Sequence, residues 1–138
     1  MRPIYAALAL AALMGSDVVA DDYLNPAIGP PNQVLYRSVR DARKWRNPIL
    51  IIQGDGVDVK GTGITGINGT HHVAVDDLKA LLIRLPVSAW PYGRVVAQTD
   101  QGILPVPFED YRRKMSQTRA RVTRVLKELQ ITAELWPS

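Results

Sequence analysis

There is no cysteine among the 138 residues, and there are only two histidines and one phenylalanine. The missing cysteines exclude a disulfide scaffold, thiol catalysis and the usual lipid attachment behind an export signal. Scarce histidine leaves few ways to build a transition-metal or neutral-pH proton-transfer site, for which that side chain is the commonest choice. The acids are lopsided, ten aspartates against three glutamates. Asp55, Asp58, Asp100 and Glu109 fall in turn or surface contexts, so no glycosidase-like carboxylate pair stands out. Beyond the N-terminus, no segment approaches the roughly 18 uninterrupted apolar residues of a membrane-spanning helix.

What is present begins with an export pattern. MRPIYAALALAALMGSDVVADD combines Arg2, an apolar run over 4–14 and the small-residue exit Val18-Val19-Ala20. These are the three parts of a secretory signal peptide, so residues 1–20 are expected to be cleaved and the mature protein to be periplasmic or secreted, with no integral membrane segment. Cleavage removes Arg2 and Asp17 from totals of 17 basic and 13 acidic residues, so the net charge stays at +4. That mild basicity favours anionic surfaces without selecting one, and nucleic acid is not expected as a partner. A cysteine-free exported chain suits a bacterial envelope better than a eukaryotic secretory route.

Residues 21–33 carry three prolines and no apolar period, which reads as an extended leader to a single domain over 34–138. VLYRSVRDARKW, residues 34–45, places Leu35, Val39 and Ala42 at helical spacing behind an Asn32 N-cap, with Asn47-Pro48 as the stop; a strand over 34–39 is the competing reading. ILIIQ followed by Gly54-Asp55-Gly56 and the alternating Val57-Asp58-Val59-Lys60 predicts a β-hairpin. Glycines 61, 63, 66 and 69 resemble a phosphate loop only superficially, because THHVAV, a strand pattern, follows them where such loops open a helix. Asp76-Asp77 is expected to cap a helix whose Leu78, Leu81, Leu82 and Leu85 share one face. WPYG, residues 90–93, ends it; 94–99 reads as a strand and ILPVPF as a loop. The spacing of Met115, Thr118, Val122, Val125, Leu126 and Leu129 predicts a long helix over 109–129, and 131–136 alternates as a closing strand. The predicted architecture is α+β: a small mixed sheet of about four to five strands with two main helices packed on one face.

From residue 49 to 136 this order resembles the periplasmic domain of the ExbD and TolR type of energy-transducing envelope proteins. ILIIQGDGVDVKG corresponds to the first strand pair, VAVDDLKALLIRL to the acid-capped helix, GRVVAQTDQG to the next strand, and VTRVLKELQITAELW to the closing helix and strand. The resemblance implies that fold and a contact with peptidoglycan or another envelope partner. It implies no motor activity, because the membrane helix whose acidic residue couples such proteins to proton flow has no counterpart in the reading above.

Three groups of residues are candidates for function. Trp90, Tyr92 and Arg94 form an aromatic and arginine cluster in a proline-stiffened segment, the residue types that anchor interfaces; the competing reading makes Trp90 a corner plug and ties Tyr92 to the backbone. Arg112, Arg113, Arg121 and Arg124 lie on the long helix, where planar guanidinium groups suit phosphate or carboxylate. His71 and His72 could serve a metal or a hydrolytic site with Ser88 or Asp100, but adjacent residues of a strand face opposite ways, so only one could join any such site. The sequence thus points to a non-catalytic, cofactor-free binding or adaptor protein of the bacterial envelope, contacting an envelope protein or an anionic wall polymer. The alternative is a small secreted hydrolase or metal-dependent enzyme using His71 or His72.

Overall fold

The structure, a computed structural model, describes residues 23–66, 69–101 and 108–137. The expected signal segment and the loop over 103–107 lie outside these residues. A single helical turn, α1 (Gln33–Tyr36), precedes strands β1 (Ile49–Gln53), β2 (Gly56–Lys60) and β3 (Thr70–Val73); helix α2 (Val75–Arg84), β4 (Val95–Asp100), helix α3 (Phe108–Glu128) and β5 (Thr132–Leu135) follow. The five strands form one mixed sheet in the order β3-β2-β1-β4-β5. β1, β2 and β3 pair antiparallel, as two short connections require, whereas β4 lies parallel to both β1 and β5. The molecule is therefore α+β as predicted.

Strand alternation sends two sets of side chains to two different covers. Leu50, Ile52, Val57, Val59, Val73 and Val96 face the helices, where they meet Leu78 and Leu82 of α2 and Met115, Val122 and Leu126 of α3. Ile49, Val95 and Ala97 face the other way, beneath Tyr36, Trp45 and Tyr92. The continuous apolar run of β1 follows from its central place, buried on both faces.

The long-helix stripe forms: Met115, Thr118, Val122, Leu126 and Leu129 are buried, and Val125 is partly buried against them. Three local expectations are corrected. First, the helix over 34–45 stops after one turn. Its proposed apolar face is in solvent, with Val34 71% and Leu35 53% exposed, while Tyr36 and Trp45 are buried in one cluster. Nine positions apart, those two would lie roughly 180° from each other on a continuous helix at about 100° per residue, so packing both on the sheet requires the chain to leave the helix. The Asn32 cap is real, its Oδ1 accepting the Val34 N–H at 3.2 Å. Second, Asp76 and Asp77 do not cap α2: the N-cap is Ala74, without a side-chain bond, and the two acids sit in the first turn, where they oppose the helix dipole. Third, the segment read as a leader is built into the fold. Leu24 and Ile28 are buried in the helix-side core, and the Gly29 carbonyl accepts the Arg94 N–H at 3.0 Å.

Candidate functional site

The segment Trp90–Arg94 is a corner between the two faces, held by one polar residue. Asn47 is 1% exposed. Its Nδ2 donates to the Gly93 carbonyl at 2.8 Å and the Val95 carbonyl at 2.7 Å, and its Oδ1 accepts the Tyr92 N–H at 2.8 Å. One amide thus satisfies three backbone groups that the turn would otherwise leave unpaired in the interior. Gly93 adopts φ +88°, and a Cβ there would collide with the Pro30 carbonyl, so glycine is required on both conformational and steric grounds.

This geometry overturns the reading of Trp90 and Tyr92 as surface anchors. They are 4% and 6% exposed and belong to opposite cores, Trp90 on the helix side and Tyr92 among the aromatics. The Tyr92 hydroxyl donates to the Lys44 carbonyl at 3.3 Å, the backbone tie that was the competing reading. Arg94 is half-buried, and its backbone joins residue 29 to β5 through the Gly29 and Thr132 bonds.

The histidines diverge as strand geometry demands. His71 points toward α2, in a shallow groove with Leu81 and Arg84. His72 is on the other face, its Nδ1 2.7 Å from Asp58 Oδ1 and its Nε2 3.5 Å from Asp55 Oδ1, while Gln53 Nε2 donates to the second oxygen of Asp58. Ser88 lines a different cleft from His71, His72 is taken up by Asp58 and Asp55, and Asp100 is held by Arg119 of α3 at 2.6 Å, so the proposed hydrolytic set is not assembled. Among the described residues, no group of three or more His, Asp or Glu side chains is placed to hold a metal ion.

The arginines of α3 divide by their partners. Arg113 pairs with Asp110 of its own helix, Arg121 with Asp76 of α2, and Arg119 with Asp100. Lys79 and Glu128, 3.6 Å apart, add a second bridge between the helices. Arg112, Lys114, Arg124 and Lys127 are exposed and have no carboxylate partner among the described residues. Of the arginines nominated from sequence, Arg112 and Arg124 have no carboxylate partner among the described residues, while Arg113 and Arg121 also serve local structure.

One concavity escaped the sequence reading. On the aromatic side of the sheet a cleft of about 460 Å³ opens between the loop before β1, the end of β2 and the corner at Ser88 and Pro91. Arg43, Arg46 and Lys60 line it, together with Thr62, Ser88 and Trp45, and no carboxylate does among the described residues. Asp41 receives the Nε and Nη2 of Arg43, the latter at 3.0 Å, and that guanidinium lowers the Asp41 pKa, keeping it ionised. The available signal was the run Arg43-Lys44-Trp45-Arg46, three cations in four residues at the end of a helix that does not form.

No helix among the described residues is long and apolar enough to cross a membrane. No family model matches the chain, and neither does any curated protein or solved structure.

Proposed function

We propose that the protein is an exported, non-catalytic binding module of the bacterial envelope that engages an anionic wall polymer along the outer side of α3. The observation that carries this reading is the set of four exposed cations without a carboxylate partner among the described residues, Arg112, Lys114, Arg124 and Lys127, on a helix with no acid between Tyr111 and Lys127. From Arg112 to Lys127 is 15 residue steps, about 22 Å of helix at the usual rise, and at about 100° per residue Arg112, Lys127 and Arg124 fall within about 120° of one another, a spread suited to an extended polyanion rather than to a single small ion. The export pattern and the resemblance of the element order to envelope proteins support the compartment.

Cosedimentation with purified peptidoglycan sacculi tests the reading. Binding is expected to weaken at least about tenfold between low and physiological salt, as multi-cation contacts do, and to be lost in Arg112→Ala/Arg124→Ala/Lys127→Ala. A binding constant that barely moves with salt, or a triple variant that sediments like the parent, overturns it.

A further inference from the structure

We infer that the cleft on the aromatic side is a second, independent binding site, for a sugar carrying one oxyanion group, a carboxylate or a phosphate. Its charge is of one sign. Lys60 arrives from the end of β2, beside Ile49 in register, and Arg46 from the loop before β1; neither has a carboxylate partner among the described residues. Arg43, whose side chain is 90% exposed, is partly neutralised by Asp41. A concavity rimmed by cations concentrates positive potential within it, and a planar guanidinium beside a point-charge ammonium matches an oxyanion.

The rest of the lining decides what carries that oxyanion. The volume, about 460 Å³, is that of a small-molecule site. Ser88 and Thr62 line the cleft together with the apolar Ile49, Pro91 and Trp45, a mixed wall that suits a ring with hydroxyls at its rim and C–H groups on its faces. A nucleobase is disfavoured because it would need an open aromatic platform. Trp45 offers none: Tyr36, Tyr92 and Trp136 surround it at centroid distances of 5.4, 5.0 and 5.3 Å, and its Nε1 is bound to the Pro48 carbonyl at 3.1 Å.

Amide chemical shifts of the isotope-labelled protein, titrated with glucose 6-phosphate, glucuronate and glucose, test the site. The two anionic sugars are expected to shift Thr62, Gly69 and Ser88 saturably, and glucose to bind at least about tenfold more weakly. A preference between phosphate and carboxylate then identifies the natural source of the anion. Arg46→Ala/Lys60→Ala, both at exposed positions, should abolish the shifts, while the α3 triple variant should leave them unchanged. Equal shifts with glucose, anion shifts confined to α3, no saturable shift, or an unaffected Arg46→Ala/Lys60→Ala protein would each overturn the assignment without bearing on polymer binding.

Discussion

The two faces of the sheet are closed by different means. On one, two helices lay down an aliphatic stripe, and the side chains that matter, such as Leu50, Leu78, Leu82 and Val122, are fully buried and carry no polar atoms. On the other, an irregular segment brings Tyr36 and Trp45 against Tyr92, and a buried asparagine ties that cover to the corner after α2. The helical face is held by many interchangeable contacts, each weak, which tolerate changes that preserve volume. The aromatic face depends on a few large groups and one polar hub, so single substitutions concentrate their effect there. The contrast also locates the two proposed sites: a regular helix presents charges along its solvent side, whereas the irregular cover leaves a gap with walls.

Substitutions on the two sides measure that difference. Trp45→Ala removes the ring that touches three other aromatics, and should cost about 4 kcal/mol by urea denaturation. Leu82→Ala, in the helical core, should cost about 3 kcal/mol while leaving amide shifts around the cleft in place. A larger loss for Leu82→Ala than for Trp45→Ala would reverse the comparison. Asn47→Ala comes next: three backbone groups lose their partner inside the protein, for an expected loss of about 2 kcal/mol with amide exchange quickening first at residues 92–95. Asn47→Asp keeps the acceptor for Tyr92 but sets a buried carboxylate oxygen against the Gly93 and Val95 carbonyls, and should be at least as destabilised as alanine near neutral pH.

The smallest effect is a pH dependence on the aromatic side. Burial, aided by the nearby Glu134 carboxylate, raises the Tyr36 phenol above its ordinary 10.0. A raised folded-state value contributes stability that is complete below the unfolded value and is lost as pH rises through the folded one. Stability of the parent should therefore decline more steeply than that of Tyr36→Phe as pH rises above about 10. Parallel declines would show that Tyr36 is as accessible folded as unfolded.

Much of this was legible in the chain. The leucine spacing of α2, the stripe of α3 and the hairpin around Gly54-Asp55 are local patterns with local causes, and each appears within one to three residues of its expected place. Residues 34–45 misled because their helical spacing is also local, but Tyr36 and Trp45 answer to the sheet, which that spacing does not register. Asn47 looked like a helix stop; its three partners lie about 45 positions away. Lys60 and Arg46 gave no signal as a pair, being separated by a whole hairpin.

Sequence by itself determined the order and type of the main elements, because side-chain periodicity and turn chemistry act within a few residues. It also bounded the chemistry, through the absence of cysteine and the scarcity of histidine. Tertiary structure alone decided which aromatic residues are covered, which arginines are already paired with aspartates, and where three cations meet across a gap. Those outcomes depend on contacts between distant segments, and burial and charge pairing are set only when the sheet brings such segments together.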